Sequence, residues 1–486
     1  MPSVNQHRLD SPAFLLENVG PVSQARLELG ALTIIAGHNN TGKTYIVYTL
    51  YGFLKCLRDV FRVHRLLART GPLSSPERPI RQQISKQVLA REGGVIRFDP
   101  KQLKRERASL SRDLTRAFSK YELAGVFSAS HKKFQGASLQ IDLPDDQAER
   151  PHVQSIDLDL PAGQISLRHN DADVAVLQLT PDRILASDYM RRHVSTYLYV
   201  YTLLPELLIL NPFVLSAERF GISLFYKDLD RRRNQLVAEL QKMGDSGGKH
   251  RSPLSRIDEV SRYSLPVNDN IDYTRSIPEF RELRSEIAAS GLDDGIRTMM
   301  GGVYESSEDD IQFVAESSDA SDPRSPTTIP LHLASSSVRG LSDLYFFLRH
   351  VARKDHLLII DEPESHLDTL NQILLARLLA RLVRAGVRVL VSTHSDYLIK
   401  ELNNLIMLSS NFEKKAEVMK RRNYEEADCL DPGRIRAYIA KENTLVRCEI
   451  DKFGIEMPNF DETINSINSV ANELAAWLSV KENENE

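Results

Sequence analysis

Apolar residues between positions 13 and 36 come in three short bursts, FLLENVG, QARLELG and LTIIAG, each closed by a glycine. The first two mix apolar with polar positions and predict half-buried strands. The third is apolar almost throughout and predicts a strand covered on both faces. From residue 45 the spacing changes: YIVYTLYGFLKCLRDVFRVHRLL repeats apolar positions at helical intervals. A strand, a glycine loop and a helix therefore follow one another.

Residues 72–130 are polar with a helical tendency. From 135 to 180 the period shortens, and ASLQIDL, QSIDLDL, QISLRH and VAVLQL read as a strand-rich sheet. A helix is expected over about 183–209 and a short strand over PFVLSAER, 212–219. Residues 222–300 are charged and mostly helical, broken by GDSGGKHRSP (244–253). That pattern predicts a helical arm with a flexible tip, its apolar positions too sparse for an extended coiled coil. ESSDASDPRSP (316–326) reads as a mobile loop. Next come a helix in SVRGLSDLYFFLRHVA, a buried strand in HLLIIDE, a helix in TLNQILLARLLARLVRAG stopped by Gly386, and a buried strand in VRVLVSTH. Strands alternating with helices predict a parallel sheet. Near the carboxyl end Ile464, Ile467, Val470, Leu474 and Trp477 form one helical stripe.

Composition narrows the class. The chain has 486 residues, 42% hydrophobic and 26% charged, with a net charge of −4. This predicts a globular protein with no global pull toward nucleic acid or membrane, so such binding must come from local patches. One patch stands out: residues 101–134 hold nine Lys/Arg against three Asp/Glu. RRRNQLVAELQKMGDSGGKHR (231–251) is diluted by acids and reads as a solvated helix face. Cys56, Cys429 and Cys448 are far apart and in no CxxC pair, against a disulfide framework or a cysteine zinc site. No signal peptide or membrane span is read, and a cytoplasmic location is expected.

Candidate chemistry sits at the strand ends. GHNNTGKT matches the phosphate-loop pattern G-x-x-x-x-G-K-[ST] at Gly37, Gly42, Lys43 and Thr44. The glycines allow main-chain N–H groups to turn toward phosphate, Lys43 reaches the β- and γ-phosphates, and Thr44 is placed for Mg2+. The expected ATP contacts are Gly37, His38, Asn39, Asn40, Thr41, Gly42, Lys43, Thr44 and Tyr45. In HLLIIDEPESHLD (356–368) Asp361 ends a buried strand, where a carboxylate can hold Mg2+, and Glu362 can polarise the attacking water. Thr393 and His394 end the next strand, and His394 can sense a γ-phosphate.

The order GHNNTGKT, ASSSVRGLSDL (334–344), LLIIDEPESHLD and STHS resembles ABC-type ATPases of the SMC/RecF/OLD kind. The resemblance implies an α/β ABC-ATPase head, a P-loop NTPase with a mixed or parallel sheet core, an antiparallel β subdomain and a helical insertion or arm. It implies two heads paired around two ATP molecules. Ser335, Ser336 and Ser337 would be the signature, Asp361 and Glu362 the Walker B pair, Asp368 the D-loop and His394 the switch histidine. The signature departs from the family's SGG, with serines where glycines usually let main chain approach phosphate. No Q-loop is placed.

SAERFG (216–221), SSSVRGL and THSDYLIKELNNLI resemble the ATPase subunits of antiphage systems such as Septu and PARIS. EEADCLD (425–431) reads as a solvated loop rather than a nuclease cluster. The expected organisation is a head split between 1–70 and 331–408, with a helical and β-rich insertion at 71–211. A helical arm at 212–330 and a small C-terminal domain at 409–486 complete it. The expected function is ATP hydrolysis in a head-paired homodimer, or a higher even-numbered oligomer, that gates a nuclease or toxin effector. The alternatives are a RecF- or SMC-like repair ATPase acting directly on DNA without sequence preference, and an ATP-bound scaffold that sequesters a partner. No membrane partner is expected.

Overall fold

In the strand Leu32–Ala36, residues Leu32, Ile34 and Ala36 face one hydrophobic core and Ile35 faces another. The same division holds in His356–Asp361, with Leu357 and Ile359 on one side and Leu358 and Ile360 on the other. Successive side chains of a strand point to opposite faces, so an unbroken apolar run requires cover on both. These strands are the middle of a two-sided sheet, and their sequences say so.

The computed structural model describes residues 12–70, 78–90, 94–97, 100–143, 156–160, 163–170, 174–179, 188–227, 263–307, 310–316, 327–457, 469–470 and 472. Nine strands form the central sheet. In spatial order they are Ser138–Asp142, Ala13–Val19, Val22–Glu28, Thr444–Arg447, Ile435–Lys441, Leu32–Ala36, Arg388–Thr393, His356–Asp361 and Asn211–Leu215. The last five run parallel. The first three pair antiparallel with one another, Val22–Glu28 meets Thr444–Arg447 in parallel, and Thr444–Arg447 pairs antiparallel with Ile435–Lys441, so the sheet is mixed, as expected. One face is covered by the helices Lys43–Arg58, Val60–Thr70, Pro100–Tyr121 and Asp188–Leu203. The other is covered by Leu292–Met300, Ser336–Phe346, Thr369–Arg384 and Asp396–Met407.

A separate antiparallel sheet joins Gly94–Arg97, Val174–Leu179, Gly163–Asn170 and Ile156–Leu160, the expected β subdomain. Its sequence neighbour Ser138–Asp142 leaves that group and pairs with Ala13–Val19 at the edge of the central sheet. The stretch 302–330, expected within the helical arm, instead forms a three-stranded sheet of Gly302–Ser306, Ile311–Ala315 and Thr327–Pro330. Alternation in GVYES and IQFVA is the signal for it, short enough to be hidden among charged residues. The region 409–486, expected as a small C-terminal domain, places Ile435–Lys441 and Thr444–Arg447 inside the central sheet.

The expected arm tip at 244–253, the basic segment 231–251 and nearly all of the loop at 316–326 lie outside the described residues, as do Ile464, Ile467, Leu474 and Trp477. Val470 is described and is exposed. Among the described residues, no helix is long and apolar enough to cross a membrane.

Candidate functional site

Strand register builds the site. In the parallel ladder Thr393 is paired with Ala36, Asp361 with Ser392, and Ile360 with Leu215. The loops that leave these strands therefore open at one edge, the carboxyl edge where ligands sit in open α/β sheets.

The glycine loop leaves Ala36 and ends at the helix Lys43–Arg58. Gly37, Asn40 and Gly42 all have positive φ (150°, 64° and 89°). Alternating left-handed residues turn successive N–H groups to one side and make an anion-binding concavity. Space selects glycine too. A Cβ on Gly37 would lie 2.6 Å from the Ala440 carbonyl oxygen, and one on Gly42 would lie 2.4 Å from Val22 Cγ2. His38, Asn39 and Asn40 are exposed. Thr41 ties the turn by donating to the His38 carbonyl at 2.8 Å. Lys43 is buried, and its ammonium donates to the carbonyls of Gly37 and His38 at 2.7 and 2.8 Å. Burial lowers its pKa, while Glu362, Asp361 and Glu364 act to raise it. The ring of Tyr45 stacks on Phe127 with centroids 4.9 Å apart. That leaves its main chain as the part available to a phosphate.

Asp361 is 1% exposed. Burial raises its pKa, opposed by hydrogen bonding from the hydroxyls of Ser392 and Thr44. Its Oδ1 accepts from Ser392 Oγ, while Oδ2 is buried without a hydrogen-bond partner. A buried carboxylate oxygen left over, near a threonine hydroxyl, fits a hard cation held by Asp361 and Thr44. Glu362 has φ 48°, an unusual value for a residue with a side chain, held by its N–H bond to the Ser392 carbonyl at 3.0 Å. Its Oε2 accepts from Ser365 at 3.2 Å.

His394 is 44% exposed, with Nδ1 4.0 Å from Glu362 Oε1 and 3.2 Å from Glu364 Oε1. Glu364 is the nearer carboxylate and was not among the expected site residues. A glutamate three residues past the strand has no periodic signature; only the turn brings it back.

Ser335 caps the helix Ser336–Phe346, accepting from Val338 N–H. Ser336 Oγ accepts from Arg339, and Ser337 Oγ donates to the His366 carbonyl. Asp368 caps the helix Thr369–Arg384 through Asn371. Among the described residues no hydrogen bond joins Ser335, Ser336 or Ser337 to the glycine loop of the same chain. Ser337 instead reaches the segment before Asp368, through the His366 carbonyl.

Arg219 was also missed, although SAERFG was singled out. It is buried, and its guanidinium donates to the carbonyls of Ser216, Gly340, Asp361, Glu362 and Pro363. One side chain thus ties the strand end at 216, the turn at 361–363 and the helix Ser336–Phe346. Glu218 accepts from the Tyr48 hydroxyl on the loop helix at 3.2 Å.

Residues 214–400 match a family model described as "AAA domain, putative AbiEii toxin, Type IV TA system". The glycine loop lies before that range and joins it through the sheet. No curated protein matches the chain. Among solved structures it is similar to an Smc head domain from Pyrococcus furiosus bound to the C-terminal domain of ScpA, at 13% identity and a TM-score of 0.31. That match covers 95% of this chain and 100% of the other. A second is the SMC head domain from Thermotoga maritima, at 9% identity and a TM-score of 0.29, covering 91% and 98%. At these scores the overall shapes differ too much for the likeness to bear on mechanism. Residues 214–400 thus match an AAA domain, and the sheet order and glycine-loop geometry are those of a P-loop NTPase fold.

Proposed function

We propose that the chain hydrolyses Mg·ATP in a head-to-tail pair of copies and uses that pairing to gate a partner effector, a nuclease or toxin, in bacterial antiphage defence in the cytoplasm. The observation that carries the ATPase part is the convergence of Lys43, Asp361, Glu362 and His394 on one sheet edge.

The residues have distinct tasks. Lys43 exchanges the carbonyls of Gly37 and His38 for β- and γ-phosphate oxygens when ATP enters. The glycine-loop N–H groups and the start of the Lys43–Arg58 helix add positive potential. Asp361 and Thr44 would hold Mg2+, which supplies charge neutralisation across the β- and γ-phosphates when bound. Glu362 orients water and takes its proton, and His394 contacts the terminal phosphate.

Head pairing is favoured by what surrounds the motifs. Leu333, two residues before Ser335, is 69% exposed, and Leu370, two residues past Asp368, is 65% exposed. Tyr397, beside His394, is 52% exposed. Apolar residues this exposed around the signature and D-loop suit a second copy of the chain. The matched family is described as a putative AbiEii toxin of a Type IV TA system, which supports placing the chain in a system that carries a toxin.

The test is the size of Glu362→Gln with Mg·ATP, measured by light scattering together with the product of the neighbouring gene. We expect a stable ATP-dependent pair, absent in Lys43→Ala. A Glu362→Gln protein that stays monomeric and partnerless with ATP overturns head-paired gating.

A second reading, direct action on DNA, is favoured by one feature. A groove of about 760 Å³ runs between the helix Pro100–Tyr121 and the edge strand Ser138–Asp142, lined by Arg112, Arg116, Lys120 and Lys132. Duplex-stimulated ATP turnover that is lost on reversing Arg112 and Arg116 would favour it, with strong salt dependence.

A further inference from the structure

The carboxylate nearest His394 is Glu364, not the neighbouring Glu362. Glu364 Oε1 accepts from the main-chain N–H of His394 at 2.7 Å and lies 3.2 Å from its Nδ1. The Glu364 side chain is 4% exposed, whereas that of Glu362 is 31% exposed and 4.0 Å from the ring. Glu364 Oε2 is buried without a hydrogen-bond partner, so this carboxylate has accepting capacity to spare. Its charge is balanced by Lys43 and Arg219, both of which feel it electrostatically. A buried glutamate within electrostatic reach of two cations and bonded to the His394 main chain is a poor acceptor to waste on packing alone.

We propose that Glu364 is a positioning residue that anchors His394 through its main chain and Nδ1, so that the ring meets ATP as an imidazolium with Nε2–H directed at a terminal phosphate oxygen. The chemistry follows from the number of protons. A neutral imidazole has one N–H. If Nδ1–H is given to Glu364, Nε2 is a bare acceptor and repels phosphate. Two anions on opposite sides of the ring, Glu364 and the terminal phosphate, favour the form with both nitrogens protonated. Among the described residues, the carboxylates within 4.0 Å of the ring are Glu362 and Glu364, and both act electrostatically on Lys43. The ring is 44% exposed, so a proton can be taken from solvent. The head then takes up one proton with each ATP. Glu364 does so without touching nucleotide, distinct from the water-activating task of Glu362.

This inference rests on the ATPase reading above, and the test separates the two. Steady-state ATP turnover is followed from pH 6 to pH 10 for wild type, Glu364→Gln, Glu364→Ala and His394→Ala. In wild type we expect kcat/KM to fall on the alkaline side as His394 loses its second proton. In Glu364→Gln, whose amide oxygen still accepts from the His394 main chain, that fall moves to lower pH. In His394→Ala the limb disappears, and adding Glu364→Ala to it changes turnover less than tenfold. ATP binding measured by calorimetry in buffers of different ionisation heat should show proton uptake in wild type and less in Glu364→Gln. If wild type neither binds nor turns over ATP, the ATPase reading fails. If wild type is active but its alkaline limb and proton uptake are unmoved in a folded Glu364→Gln, this inference alone is overturned.

Discussion

The guanidinium of Arg219 donates to the main-chain oxygen of Glu362 at 2.9 Å. The residue expected to activate water is thus held in its left-handed conformation from behind by a side chain that never reaches solvent. The same guanidinium also donates to the main-chain oxygen of Gly340, so it joins the helix Ser336–Phe346 to the turn at 361–363. Burial pulls the pKa of Arg219 down, opposed chiefly by the nearby carboxylates Glu364 and Asp361.

Arg219→Ala should therefore strand several buried carbonyls at once. We expect a loss of stability on the order of 3–5 kcal/mol, read as a lowered denaturant midpoint. Arg219→Lys should recover little, because an ammonium cannot span a fan of five acceptors. A lysine variant with wild-type stability and turnover would show that the fan is not what holds the turn.

Asp343, on the helix Ser336–Phe346, is fully buried, and that burial pushes its pKa up to about 7 despite help from the Thr274 hydroxyl and Arg219. The raised value means the native state favours the protonated form. Its contribution to stability is complete below the ordinary carboxylate range and is lost as pH rises from about 4 through about 7. Asp343→Asn should lack that slope. Unfolding free energies of the two proteins, compared from pH 4 to pH 9, should diverge in favour of the variant up to about 7 and run parallel above it. Parallel curves throughout would remove Asp343 as the source.

Gly37→Ala should damage the nucleotide loop from the carboxyl-terminal side of the sequence. The new methyl would meet the Ala440 main-chain oxygen, 2.6 Å away, at a residue already at φ 150°. The expected cost is about 1–3 kcal/mol of local strain, with ATP affinity lowered at least tenfold in an equilibrium binding assay. Unchanged affinity would mean the loop relaxes freely.

Removing residues 409–486 should abolish folding rather than trim a module. Ile435–Lys441 lies between Leu32–Ala36 and Thr444–Arg447, with Ala437, Tyr438 and Ala440 buried. The Tyr438 hydroxyl also exchanges hydrogen bonds with the main chain of Glu28. Expression of residues 1–408 should give insoluble chain, and a soluble fragment with a cooperative thermal transition would refute this.

The amino-acid order alone determined the parts whose signal is local. LTIIA and HLLIID announce strands buried on both faces because apolar runs of that length need two covers. GHNNTGKT announces a phosphate loop because only glycine fits the positive φ values at Gly37 and Gly42. Asp361, Glu362 and His394 were legible because they directly end strands that a parallel ladder must align. Tertiary structure decided the rest, where the partners are distant in sequence. Nothing in IRAYIAK says that it will sit beside a strand four hundred residues earlier, because a short alternating run fits an edge, a hairpin or a sheet interior alike. Nor could Glu364 or Arg219 be read in advance. Each is a charged residue of a kind normally found in solvent, and each is buried because groups from separate segments converge on it. That convergence is a property of the folded sheet edge, and it places Glu364 rather than Glu362 nearest to His394.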